Sequence, residues 1–370
     1  MDHSTHNAIV SFIWGIADDV LRDVYVRGKY RDVILPMTVL RRLDCLLEPT
    51  KEEVLKRHIW LEEQNIFEQT AALTKAAGYP FYNTSSYTLK RLLNEPSLIE
   101  ANFRNYLDGF SPNVQQIIEK FKFKAQIETL VEADRLYGMI EKFVDSKINL
   151  SPEPVRNADG TVIHEGLSNL GMGYVFEELI RRFNEENNEE AGEHFTPRDI
   201  IKLMVNLIFL PVQSQLQSTT YLVYDCACGS GGMLTEAEAF IQDVALKGKK
   251  KVTIQLYGQE VNPETFAICQ ADMLIQGRDP EKIQYGSTLA NDAFAGMEFD
   301  FMLANPPYGK SWKLDKEKLE EGKGKNRSVT DPRFLVEHSV EDEPIEKLEL
   351  LPRVSDGQLL FLVNNTKSNN

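Results

Sequence analysis

Cysteine is scarce in this sequence: Cys45, Cys226, Cys228 and Cys269 are the only four in 370 residues. They are too few and too scattered for a disulfide framework, which excludes the stapled secreted class and points to a reducing compartment, the cytoplasm. Cys226-x-Cys228 has no matching Cys or His pair at zinc spacing, and the six histidines show no nucleophile–base pattern, so no metal site is expected. Positive charge is also short, since 41 Lys and Arg against 56 Asp and Glu leave a net charge of −15. That balance excludes binding nucleic acid by bulk charge; any DNA contact has to be local or shared with a partner. Long apolar runs are missing as well. The longest, Leu203 to Val212, falls short of the roughly 20 residues that span a bilayer, and the start, Met1 to His6, lacks a basic stretch leading into an apolar one. Neither secretion nor membrane insertion is expected.

What remains is an ordinary globular composition, 42% hydrophobic and 26% charged, and a length that predicts two or three domains at about 150 residues each. From Asn7 to Ser146 the pattern is helical: Ile9, Phe12, Ile13, Ile16 and Val20 recur at 3.6-residue spacing, as do Val33, Met37, Leu40, Leu43 and Leu47. Pro36 is tolerable near a helix start. The texture changes at Ser151, where Asp159-Gly160 between short apolar flanks signals a hairpin. The expected organisation is a helical domain over 1–150, a linker and hairpin over 151–168, and an α/β domain over 169–370. Within the last, Tyr174, Phe176, Leu179, Ile180 and Phe183 mark a helix that ends in a solvated acidic loop, Asn184 to Glu193.

After Pro197 strands and helices alternate. Tyr221–Tyr224, Val252–Tyr257, Ile283–Gly286 and Phe299–Ala304 read as strands, with helices at Gly232–Leu246 and Pro263–Ile275. Such βαβ units make a parallel, doubly wound sheet that binds its ligand at the carboxyl ends of the strands. Lys313 to Arg327, dense in Lys, Glu and Gly, reads as a mobile, plainly solvated loop, with closure over a substrate, which its place after the fourth strand would allow, as the lesser alternative.

Asp225-Cys226-Ala227-Cys228-Gly229-Ser230-Gly231-Gly232 follows a buried strand and opens a helix, so its backbone can approach a ligand and its helix start offers free amide donors. Its glycines do not give the G-x-G-x-x-G spacing of dinucleotide-binding turns. The next strand ends with Glu260, which suits either the ribose hydroxyls of an adenosine-containing ligand or a helix cap. The fourth ends in Asn305-Pro306-Pro307-Tyr308, where two prolines stop the ladder and fix a rigid turn. The Asn305 side chain and the Pro306 carbonyl are then both placed to face one ligand group.

The turn at Asp225, the acid Glu260 and the tetrapeptide Asn305–Tyr308 resemble motifs I, II and IV of S-adenosylmethionine-dependent amino-methyltransferases. Gly192-Glu193-His194-Phe195-Thr196-Pro197-Arg198 and Gly173-Tyr174-Val175-Phe176-Glu177-Glu178-Leu179 resemble the modification subunits of type I DNA restriction-modification systems. So do Asp331-Pro332-Arg333-Phe334, Ser355 to Leu362 and the helical leader. The resemblance implies a Rossmann-like methyltransferase sheet, with four of the family's seven strands readable, behind an N-terminal helical domain. It implies that Phe195, Thr196 and Pro197 line the methionine end of S-adenosylmethionine, that Asp225, Gly229, Ser230 and Gly231 shape its pocket, and that Glu260 holds the ribose. Ser287, within Gly286-Ser287-Thr288-Leu289, is placed near the adenine, although no acid stands there. Asn305, Pro306 and Pro307 are implied to hold an adenine N6 amine, with Tyr308 stacking on a base flipped from the duplex.

The implied activity is adenine-N6 methylation of double-stranded DNA, in the cytoplasm. The implied partners are a specificity subunit that reads the sequence, a second modification subunit and a restriction subunit. Cys226 stands where the family has proline, a change confined to the stiffness of the turn. The chain stops after Asn364-Asn365-Thr366-Lys367-Ser368-Asn369-Asn370, so a truncated product of poor isolated activity is expected. Two alternatives are a non-catalytic scaffold that binds cofactor or partners, and a protein-glutamine N-methyltransferase, which the helical leader and the Gly192–Arg198 motif disfavour.

Overall fold

Apolar residues at helical spacing build the first of two units, Met1–Ala191 with Gln270–Glu281. The structure is a computed structural model and describes residues 3–186, 196–322, 328–338 and 346–367. Helix His3–Ile16 buries Ile9, Ile13 and Ile16 and leaves Phe12 half-buried. Helix Arg31–Leu47 buries all of Val33, Met37, Leu40, Leu43 and Leu47, with Pro36 one turn further in than its sequence suggests. Helices between Lys51 and Phe143 complete the leader, and Gly78, left-handed at φ +73°, ends the helix Thr70–Ala77. The expected hairpin is present: β1 (Val155–Arg156) pairs antiparallel with β2 (Val162–His164), and Gly160 closes the turn at φ +87° with its amide on the Asn157 carbonyl.

Helix Asn169–Glu186 buries Val175, Phe176, Leu179, Ile180 and Phe183. Gly173 is required there, because a Cβ would lie 2.6 Å from the Gln276 side chain. Arg42 ties these segments together. Its guanidinium is fully buried and donates to the carbonyls of Leu150 at 2.5 Å, Leu167 at 3.0 Å and Ile275 at 3.4 Å, and to Asn169 Oδ1 at 2.8 Å. Burial lowers its pKa to about 10, so it remains charged at neutral pH.

The second unit is Gly192–Cys269 with Lys282–Asn370. Its sheet contains the four expected strands, β3 (Thr220–Asp225), β4 (Thr253–Glu260), β5 (Ile283–Tyr285) and β6 (Phe301–Met302), all parallel in the order β5-β4-β3-β6. The α/β doubly wound fold expected from the sequence is therefore present. β6 is shorter than the apolar run Phe299–Ala304, because Asp300 takes over the ladder: its carboxylate accepts the Leu222 amide at 2.7 Å and its own amide donates back to the Leu222 carbonyl at 3.0 Å. The chain steps outward from β3 to β4 to β5 and then crosses to β6 on the other side of β3, which makes the β3/β6 gap the switch point where such sheets bind ligands.

One expectation is corrected. Residues Lys313–Leu319 form a helix, and Glu320–Glu321 pairs with Ser328–Val329, where the sequence suggests a mobile loop. The segment is anchored at both ends by apolar residues: Trp312, Leu319 and Val329 join Leu289, Phe334 and Leu360 in one buried cluster. Helix Gly357–Lys367 packs Leu360 into the same cluster.

Candidate active site

The carboxyl end of β3 delivers Asp225 into the interior. Its Oδ1 accepts the Ala227 amide at 3.0 Å, while its buried Oδ2 has no partner. Burial, with the neighbouring Glu260 charge, pushes its pKa up to about 7. The turn that follows needs its glycines: Gly229 at φ +54° and Gly231 at φ +88° are left-handed, and no side chain caps the helix Gly232–Lys247 that begins there. Gly258 in β4 lets the turn settle onto the sheet, since a Cβ would lie 2.9 Å from Cys228 Sγ. Cys226 and Cys228 are buried spacers kept as thiols, Cys226 by burial and Cys228 by its contact with Cys269 Sγ together with burial.

Glu260, ending β4, is held twice: Oε2 accepts the Gly229 amide at 3.0 Å and Oε1 the Asn262 amide at 2.7 Å. Its carboxylate thus bridges the ends of the two central strands. Beyond β6, Asn305 Nδ2 donates to Thr196 Oγ1 at 3.1 Å across 109 residues of sequence. That contact orients the amide and leaves Oδ1 as its acceptor.

These groups converge on a cavity of about 340 Å³, within the range of small-molecule sites. Thr196, Gly229, Ser230, Glu260, Ser287, Asn305 and Pro307 line it. Asp225 and Gly231 support the turn from beneath without lining the cavity. Pro197 caps the helix Arg198–Phe209, Pro306 is half-buried behind Pro307, and Tyr308 projects outward at 70% exposure. Phe195 lies outside the described residues. Among the described residues no group of His, Cys, Asp and Glu could hold a metal ion.

Two contributors, Asp315 and Trp312, escape a sequence reading, and Arg333 of the Asp331–Phe334 motif gains a place in the site. Asp315, from the helix Lys313–Leu319, accepts the Ser287 hydroxyl at 2.6 Å and lines the cavity. Trp312 lines it as well, its indole N–H donating to the Arg353 carbonyl at 3.0 Å. Arg333 braces one wall from behind: its guanidinium donates to the carbonyls of Thr288 at 2.7 Å and Leu289 at 2.9 Å, to Asn364 Oδ1 at 2.8 Å, and pairs with Asp331 at 2.7 Å. The segment Asp331–Phe334 therefore shapes the cavity without touching its contents. The signal for Asp315 is faint, a lone acid one turn after a buried tryptophan.

A parallel sheet with a glycine turn, a strand-end acid and a rigid Asn-Pro-Pro-Tyr turn around one cavity defines an α/β ligand-binding domain of the methyltransferase class, attached to a helical leader. Comparisons with known proteins narrow this. Residues 168–341 match the N-6 DNA Methylase family and residues 9–143 the HsdM N-terminal domain. The chain is similar to type I restriction enzyme methylase subunits. It is 24% identical over 312 residues to the type I restriction enzyme MjaIX methylase subunit of Methanocaldococcus jannaschii, covering 81% of this chain and 50% of that protein. It is 31% identical over 184 residues to the HindI methylase subunit of Haemophilus influenzae, covering 49% of this chain and 38% of that protein. The chain thus spans about half the length, or less, of these relatives. The crystal structure of a type I restriction-modification methyltransferase subunit from Streptococcus thermophilus has the same fold, with a TM-score of 0.64 at 20% identity over 99% of this chain and 72% of that one.

Proposed function

We propose that this chain methylates the N6 amine of adenine in double-stranded DNA, with S-adenosylmethionine as donor, as the modification subunit of a type I restriction-modification complex. The observation that carries the reading is the Asn305 amide, held by Thr196 on the wall of the cavity that also receives Glu260 and the glycine turn. Bound there, S-adenosylmethionine supplies an activated methyl group. The donor set suits it: Glu260 for a ribose diol, uncapped helix amides and left-handed glycines for close approach, and acidic side chains for a cationic ligand.

The remaining demands fall on the protein. The N6 lone pair is delocalised into the ring, so the nitrogen must be stabilised as it becomes tetrahedral and positive. Asn305 Oδ1 and the Pro306 carbonyl accept from the amine in that state, and Pro307 fixes their separation. Exposed Tyr308 offers a ring for stacking on an extruded base. With a net charge of −15, the chain needs a partner for sequence reading, and a separate specificity subunit, a second modification subunit and a restriction subunit fill that assembly in the cytoplasm. Among the described residues no helix is long and apolar enough to cross a membrane.

The test pairs calorimetry with methyl transfer to DNA in the presence of a specificity subunit. Asn305→Ala is expected to keep cofactor affinity within a few-fold while transfer falls about 100-fold, the usual scale for one preorganised hydrogen-bonding group. A folded chain that binds no S-adenosylmethionine would overturn the reading.

A further inference from the structure

We propose that Asp315 reads the base of the bound nucleoside and selects a 6-amino purine over a 6-oxo purine, an assignment that rests on the methyl-donor reading above. Glu260 places the ribose at the end of β4, and β5 is the next strand outward, so the wall met beyond the ribose is the loop that follows β5, Gly286–Leu289. Leu289 is buried there and offers an apolar face to a ring. The edge of the ring needs polar partners, and most groups on this wall are already committed. Gln259 spends both amide atoms, Nε2 on the Asn291 carbonyl at 2.8 Å and Oε1 on the Ala293 amide at 3.1 Å. Asn262 Oδ1 accepts the amides of Glu264 and Thr265, and the Thr288 hydroxyl donates to the Cys226 carbonyl.

Ser287 donates its proton to Asp315 Oδ1 at 2.6 Å, which fixes the carboxylate and leaves Oδ2 as an acceptor. Among the described residues that line the cavity, Asp315 and Glu260 are the two carboxylates, and Glu260, at the end of β4, is the one assigned to the ribose. An ionised carboxylate can only accept. It pairs with the amino group of adenine and meets the carbonyl oxygen of a 6-oxo purine as acceptor against acceptor. A site built to bond an N–H rejects the analogue that lacks it far more strongly than an apolar pocket does.

The experiment titrates the full chain calorimetrically with S-adenosylhomocysteine and with S-inosylhomocysteine, its 6-oxo analogue. The parent is expected to bind the 6-amino compound at least about 10-fold more tightly, the lower end for one hydrogen bond to a charged group. Asp315→Asn, whose amide both donates and accepts, should bring the ratio to within about threefold, at an unchanged melting temperature. Ser287→Ala should give an intermediate ratio, because the carboxylate is then unpinned, and it serves as a second test should Asp315→Asn fold poorly. A ratio unmoved in both variants overturns the assignment of Asp315 while leaving the methyl-donor reading standing. Binding of neither compound by the folded parent overturns that reading and this assignment with it.

Discussion

Asp44, in helix Arg31–Leu47, accepts the Tyr106 hydroxyl at 3.1 Å and the Leu89 amide at 3.3 Å and lies 3.6 Å from Arg41, whereas Asp225, at the end of β3, has one amide partner and one bare oxygen. Burial pushes both carboxyls up, Asp44 to about 6 against the pull of Arg41, and Asp225 to about 7 with Glu260 adding to the rise. Around Asp44 the buried polar groups close upon one another: Lys51 donates to Asn83 Oδ1 at 2.9 Å, and Asn83 donates to the Tyr106 carbonyl at 2.9 Å. Asp225 keeps one buried oxygen open beneath the glycine turn. A closed network specifies the fold, while a buried group left open lowers stability.

The sharpest way to break this contrast is to open a closed network. Arg42→Met strands three carbonyl oxygens in the interior at about 1–3 kcal/mol each, so a loss of about 3 kcal/mol or more is expected in urea unfolding. A loss below about 1 kcal/mol would mean that water reaches those carbonyls and that the unit is not closed.

Next comes the same substitution in both networks. Asp44→Asn sets an amide donor against the Leu89 amide and removes the partner of Arg41, and about 3 kcal/mol of destabilisation at pH 8 is expected. Asp225→Asn should behave oppositely. A carboxyl whose folded pKa exceeds its unfolded value stabilises the protein below the unfolded value, near 4, and that contribution is lost as pH rises through the folded value, here about 7. Melts of variant and parent between pH 5 and pH 8 should therefore diverge in favour of Asp225→Asn as pH rises, by no more than about 4 kcal/mol. Parallel curves would show that Asp225 is solvated.

The difference between the two regions also governs what the sequence could reveal. Buried parallel strands are short apolar runs bounded by glycine and proline, so the four strands, the turn at Gly229–Gly231 and the Asn305–Pro307 corner were legible. Local geometry and local residue type coincide there. Arg42 was not legible, because a charged residue inside an apolar period reads as solvent-facing, and its partners lie 108 to 233 residues away. Asp315 was hidden for a related reason: the helix Lys313–Leu319 buries only Leu319 and carries no apolar periodicity of its own. Its position is set by Trp312 and the cluster around Phe334, tertiary packing that no local pattern encodes.

The smallest effect tests how far the open site depends on a single hydrogen bond. Thr196 Oγ1 receives Asn305 Nδ2, and without it the amide can rotate and present NH2, in place of its oxygen, to the incoming amine. Thr196→Val keeps the shape and removes the oxygen. One neutral hydrogen bond is worth about 1 kcal/mol, so single-turnover transfer should fall about fivefold while cofactor affinity stays within about twofold, and Thr196→Ser should restore the rate. Equal losses in the valine and serine variants would place the role of Thr196 in the packing of its methyl group, and Asn305 would then owe its orientation to the rigid Pro306-Pro307 backbone alone.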